Sequence, residues 1–157
     1  MSHFSQIDSW SISEIFLDLL QDKLLNFQQF FDISVLERDA LQSRDVKELL
    51  SILQQKSDLQ QKVNHLDKEM NQLQANNPDF IRAMNEEQHT EFEETIRVMV
   101  DLLQKIIDYE ARNKEIALKV KANVQNDLNK VRTGNKLLRS YFNNTPTKSA
   151  RFLDKTH

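Results

Sequence analysis

Glycine and proline are scarce in this chain, which has one glycine and two prolines in 157 residues. Average usage is roughly 7% and 5%. Tight turns and positive-φ positions depend on these residues, so the sequence argues against a sheet with many hairpins. The length fits one domain. The scarcity therefore predicts an all-α protein made of a few long helices.

Three pairs of residues have the spacing of helix N-terminal caps, in which a capping side chain is followed three residues later by a glutamate. They are Ser11/Glu14, Asp45/Glu48 and Thr90/Glu93. Gly134 suits the residue just after a helix, where a left-handed backbone is common. These signals predict one helical domain, 11–142, with helices at about 12–42, 45–75, 79–88, 91–132 and a short one at 135–142. Segments 1–10 and 143–157 are expected to be flexible.

Apolar residues in the second helix recur with alternating spacings of three and four, which is coiled-coil-like. Lys56 interrupts them, and there it would weaken a dimer or fix its register, although its aliphatic stem can also pass apolar neighbours. We predict an antiparallel helical hairpin or bundle with a long third helix. The second helix contributes a seam made of Leu49, Ile52, Lys56, Leu59, Val63, Leu66, Met70 and Leu73.

The predicted third helix is longer than the other two. A rise of ~1.5 Å per residue gives about 63 Å for 91–132 and about 45 Å for each of the first two helices. Its last turns would therefore be uncovered, unless the helix bends or segment 79–88 folds over it. An uncovered apolar face is a candidate binding surface. We predict such a surface, the C-terminal stripe, at Ala117, Val120, Val124, Leu128 and Val131.

Charge is unevenly distributed along the chain. Residues 112–157 contain eleven Lys/Arg and three acids, a net charge of +8, whereas the whole chain has a net charge of −3. The imbalance indicates an interaction region near the carboxyl end. Its bases are interleaved with apolar residues and its aromatics are too few for a stacking platform. We therefore predict no binding to nucleic acid.

The sequence offers no recognisable catalytic or metal-binding motif. The four histidines share no ligand spacing, so no metal site is predicted. A single glycine cannot build a phosphate-binding loop of the usual kinds, so no cofactor is predicted either. The chain has no cysteine, which fits the cytoplasm. We also expect no signal peptide, no membrane insertion and no enzymatic activity.

The segment "LERDALQSRDVKELLSILQQK" at 36–56 goes beyond composition. It resembles the FlgN family of flagellar export chaperones, in which a similar segment joins the first long helix to the second. The residues that carry the resemblance are Glu37, Arg38, Ala40, Leu41, Arg44, Asp45, Leu49, Leu53, Lys56 and Leu59. The segment "RNKEIALKVKANVQNDLNKVRTGNKLLRSYF" resembles the family's terminal helix, with Asn113 inside it. The resemblance covers about residues 15–155.

The resemblance implies a cytoplasmic escort for hook-associated proteins, which form the hook–filament junction. Such chaperones hold the C-terminal helical segment of the cargo, prevent premature association and deliver the cargo to the cytoplasmic domain of the export-gate membrane protein. The C-terminal stripe would then bind cargo.

The aromatic residues after Gly134 have two interpretations. Leu137 and Leu138 are expected to dock the chain end after a helix break. Tyr141 and Phe142 would then contact the export gate, unless they form an intramolecular clasp. Phe152, in "RFLD", is the alternative gate residue because the family has an aromatic near its end.

A second hypothesis needs no flagellar role. The seam could pair two copies of the chain, which would make the protein a homodimeric coiled-coil adaptor or scaffold without enzymatic activity. Measuring the mass in solution, with and without cargo, separates the two hypotheses.

Overall fold

The computed structural model describes the backbone of residues 2–144 and the side chains of residues 11–143. Its three helices are α1 (Ser2–Ser43), α2 (Val46–Asn76) and α3 (Glu86–Asn144). The described residues contain no strand, so the all-α prediction is confirmed. The first helix begins earlier than the predicted residue 12. The proposed cap at Ser11 therefore lies inside α1, and the segment predicted to be flexible is helical from Ser2.

The turn between α1 and α2 uses an arginine where glycine is usual. Arg44 has a φ of 56°, and the amide of Asp45 donates to the carbonyl of Ala40 at 3.0 Å. This is the hydrogen-bond pattern of a Schellman cap. The Asp45 carboxylate then accepts from the amide of Glu48 at 3.1 Å, so the predicted cap of α2 is confirmed. The two caps reverse the chain within two residues.

The connection between α2 and α3 differs from the prediction. Residues 77–85 form turns where a helix at 79–88 was expected. α3 begins at Glu86, ahead of the predicted cap at Thr90, because Asn85 and Gln88 cap it reciprocally, each amide donating to the other's side-chain oxygen. Phe80 anchors the turns in the core, its ring centroid 4.7 Å from that of Phe16.

Polar contacts fix the directions of the helices in the first part of the chain. Lys23 pairs with Asp67 at 2.5 Å and Glu37 with Lys56 at 2.8 Å, so α2 runs antiparallel to α1. The predicted antiparallel hairpin is confirmed.

The first part of α3 runs parallel to α1. Gln21 donates to Thr95 at 2.8 Å, and Arg38 donates to Asn113 at 2.9 Å. Partners on the two helices are thus about 75 residues apart in the sequence at both places. The constant offset sets one register along the whole contact.

The seam of α2 is buried within the chain. Ile52, Leu59 and Met70 are buried, and the other seam residues are half-buried. Within one chain, the other helices of the bundle thus cover the seam wholly or in part. At the end of the bundle away from the turn between α1 and α2, the helices pack around a hydrophobic cluster. It consists of Phe16, Leu17, Leu20, Met70, Phe80, Met84 and Met99.

The chain divides into two compact units, Met1–Ile116 and Ala117–His157, where a single helical domain was predicted. The described part of the second unit is the carboxyl-terminal portion of α3, through Asn144. Gly134 does not end this helix and has no positive φ. The predicted break at 132–135, and with it a separate helix at 135–142, is therefore wrong.

Candidate functional site

A cluster of ionised side chains lies within the first unit, around Lys56. The Lys56 ammonium contacts Glu37 at 2.8 Å and Glu110 at 2.7 Å. It also lies 5.1 Å from the centroid of the Phe30 ring. The Lys56 side chain is 13% exposed and that of Glu37 is 7% exposed. The cation that interrupts the seam thus meets two carboxylates contributed by the other two helices.

Asn113 extends this cluster on α3. Its side-chain amide donates at 2.9 Å both to the backbone carbonyl of Ser34 and to the carboxylate of Glu37. Its side-chain oxygen accepts from Arg38 at 2.9 Å. The Arg38 guanidinium in turn lies 3.5 Å from the centroid of the Tyr109 ring, a cation–π contact.

The polar atoms of this cluster are paired with one another. Among the described side chains, no buried nitrogen or oxygen lacks a hydrogen-bond partner. No set of three or more His, Asp or Glu within the described residues could hold a metal ion. Four of the residues that carry the family resemblance meet in this cluster and fix the register of the three helices. They are Glu37, Arg38, Lys56 and Asn113.

The C-terminal stripe lies on α3 in the second unit. Ala117 and Val120 are half-buried, whereas Val124, Leu128 and Val131 are 42%, 48% and 59% exposed. Their spacings of three and four place all five on one face of the helix. The structure therefore brings the predicted residues together as a partly exposed apolar row.

The same row continues beyond the predicted residues. Counting on from Val131 by four, three and four gives Asn135, Leu138 and Phe142, which share its face because the helix is unbroken. Leu138 and Phe142 are 56% and 53% exposed. Sequence reasoning left Leu138 and Phe142 out of the stripe because Gly134 was expected to end the helix.

The predicted gate residues divide between two faces. Phe142 follows the stripe, whereas its neighbour Tyr141 is turned by about 100° around the helix. Tyr141 is 65% exposed, and its ring makes an edge contact with that of Phe142, with centroids 5.8 Å apart. Leu137 and Leu138 are more than half exposed, so the expectation that they dock the chain end is wrong. Phe152 lies outside the described residues.

Basic side chains are numerous in the second unit. Residues 117–144 contain six Lys/Arg and a single acid, Asp127. All six bases are exposed. Within the described part of the chain, no helix has the long apolar stretch required to cross a membrane. The second unit thus presents an apolar row within a strongly cationic helix surface.

Comparison with known proteins gives one family. The family model described as FlgN protein matches residues 12–144, which includes the cluster around Lys56, the stripe and both predicted gate residues of α3. No curated protein and no solved structure matches the chain.

Proposed function

The chain belongs to the FlgN family of flagellar export chaperones, and on this premise we propose that it escorts hook-associated proteins of the hook–filament junction. It acts in the cytoplasm, binds the C-terminal helical segment of the cargo and prevents premature association. It then delivers the cargo to the cytoplasmic domain of the export-gate membrane protein. The family is a chaperone family, and the proposed role involves binding without catalysis.

The observation that supports cargo binding is the partly exposed apolar row at Ala117, Val120, Val124, Leu128 and Val131. An amphipathic helix from the cargo would cover this row and complete a small bundle. Burying ~600 Å² of apolar surface contributes roughly 15 kcal/mol before the costs of association and ordering. Those costs leave enough for an affinity between micromolar and nanomolar.

A charge placed on the row tests this proposal. We expect Val124→Asp and Leu128→Asp each to weaken binding of a junction protein's C-terminal segment by ~2 kcal/mol or more, because burying a charge in this apolar contact is costly. Isothermal titration with the synthetic segment measures the effect, and far-UV circular dichroism checks that helicity is retained.

Asn126→Asp is the matched control for these variants. It adds the same charge on the same helix, but Asn126 is exposed on the face opposite the stripe. The control should bind the segment like the unmodified chain. Equal affinities for all three variants would move the cargo site away from the stripe.

We assign delivery to the aromatic end of α3. Tyr141 is exposed and lies off the face of the stripe, so it can contact a second partner while cargo is bound. An aromatic ring offers a large contact area at low entropic cost, which is typical of interface hot spots. Phe142 is the neighbouring gate candidate and Phe152 the alternative.

Tyr141→Ala is therefore expected to leave cargo binding nearly intact, to abolish docking to the gate domain and to reduce motility. The measurement is capture of the purified gate domain by each variant preloaded with cargo. Phe142→Ala and Phe152→Ala are made in parallel. Loss of gate binding only in Phe152→Ala would assign the contact to the "RFLD" segment, and retention in all three variants would contradict a role for these aromatics.

A further inference from the structure

The cations of the second unit are arranged asymmetrically about the C-terminal stripe. Lys121, Arg132 and Arg139 are separated by eleven and seven residues, spacings that return to nearly the same side of an α-helix. At 100° per residue they form a row about 60–80° from the centre of the stripe. All three are exposed. They lie beside the apolar row, where they can reach a helix that covers it.

The other border of the stripe has a different character. Asp127, Gly134 and Tyr141, which are seven residues apart, follow it along that side. Lys119 and Lys130 lie on the helix face remote from the stripe. One border of the stripe is thus cationic, whereas on the other side the nearest cation of residues 117–143, Lys130, lies about 120° from the centre of the stripe.

We propose that the second unit accepts an amphipathic helix whose apolar face is bordered on one side by Asp or Glu. The bound helix covers the row from Ala117 through Leu138, a length of about 32 Å, with its acids beside Lys121, Arg132 and Arg139. This inference rests on the proposed function, since it describes the chemistry of the segment that the chaperone holds. A second copy of the chain fits poorly, because two such cationic surfaces repel each other.

The charges act mainly on selection and orientation. Exposed ion pairs contribute little to affinity and are screened beyond about 10 Å at 0.1 M salt. Complementary charge raises the association rate and disfavours partners of the wrong sign. The stripe therefore supplies affinity, and the cationic row selects which amphipathic helix binds and in which direction.

Two designed peptides test the charge preference against the full chain. Both are helical and carry one identical apolar stripe, with glutamates along one border in the first peptide and lysines there in the second. We expect the glutamate peptide to bind about tenfold tighter or more at low salt, with the difference shrinking as salt is added. Equal binding of the two peptides at low salt would overturn the proposal.

A pair of charge-reversal variants separates position from net charge. Lys121→Glu/Arg132→Glu should lose the preference for the glutamate peptide or reverse it. Lys119→Glu/Lys130→Glu, which changes the net charge by the same amount on the remote face, should keep the preference. An equal effect of both double variants would mean that only overall charge matters, and the inference would fail.

Two neighbouring leucines test the length of the surface. Leu138→Ala should weaken binding of the glutamate peptide severalfold, because Leu138 lies on the row. Leu137→Ala makes the same change on the opposite face and should have no effect. If Leu138→Ala, like Leu137→Ala, left binding unchanged, the surface would be restricted to residues before Gly134 and the proposed extent would be contradicted.

A junction protein's C-terminal segment, used as a third probe, distinguishes this inference from the proposed function. If Lys121→Glu/Arg132→Glu does not change binding of that segment, the inference is overturned and the proposed function is not affected. The segment could also fail to bind while the glutamate peptide binds each variant as expected. That result would support the proposed binding surface and contradict the assignment of junction proteins as cargo. Formation of a dimer that blocks the glutamate peptide would show a second copy as the occupant and overturn the inference.

Discussion

Replacing Lys56 with methionine is expected to lower the free energy of unfolding by about 3–5 kcal/mol. The substitution keeps the length of the side chain but removes the cation that both Glu37 and Glu110 contact. Glu37 would then be a buried carboxylate whose remaining donor is the neutral amide of Asn113. Urea unfolding, monitored by circular dichroism, measures the change.

Two further variants show whether the loss comes from unpaired charge. Lys68→Met removes an exposed lysine from the same helix and should change stability by less than about 0.5 kcal/mol. Adding Glu37→Gln and Glu110→Gln to Lys56→Met should restore most of the loss, because no buried charge then lacks a counterion. If Lys56→Met is no more damaging than Lys68→Met, the cluster does not hold the helices together.

The helical hairpin could be predicted because its signals are local. The Asp45 cap and the three–four spacing of the seam lie within single segments of sequence, so α2 was placed within one residue at each end. Arg44 was not predicted to adopt a left-handed backbone, since arginine does not favour it. That conformation is imposed by the adjacent Schellman hydrogen bond from Asp45 to Ala40.

The polar cluster could not be predicted because its partners are distant in the sequence. Asn113 and Glu37 are 76 residues apart, and Lys56 and Glu110 are 54 apart. The sequence alone marked Lys56 only as an interruption of the seam. The helix register that brings two carboxylates to it follows from tertiary packing, which no local spacing encodes.

The first residue of α3 and its continuation past Gly134 were both predicted wrongly, for two different reasons. Asn85 and Gln88 form the actual capping box, but Thr90 with Glu93 matches the commoner pattern equally well. Gly134 was taken as a helix end, although a glycine inside an exposed helix costs only about 1 kcal/mol relative to alanine. A Cβ added there would meet no atom within 4 Å, so this position needs no glycine for space.

The candidate site was partly predictable. The length of the third helix indicated an uncovered stripe, and the exposed side chains of Val124, Leu128 and Val131 agree with that reasoning. Its extension to Phe142 depended on the helix passing Gly134. Binding of cargo or gate depends on partners outside the chain, so those assignments remain predictions.

Leu59→Ala is expected to lower the free energy of unfolding by about 2–4 kcal/mol. Leu59 is 6% exposed and lies where α2 faces the other two helices of the first unit. Truncation removes buried methyl groups and leaves a cavity that the packed helices can fill only in part. Chemical denaturation with a constant m-value would identify the change as a loss of stability.

Leu53→Ala supplies the matched control, because Leu53 lies on the same helix and is 45% exposed. The same substitution there should cost much less, since no closed cavity forms. The denaturation midpoint of the unmodified chain should also be independent of protein concentration, because the seam packs within one chain. Suppose instead that the midpoint of the unmodified chain rises with protein concentration. If Leu59→Ala abolishes this dependence and Leu53→Ala keeps it, the seam is a dimer interface. That result would favour the scaffold hypothesis, since a seam shared between copies cannot also form the core of a single-chain bundle.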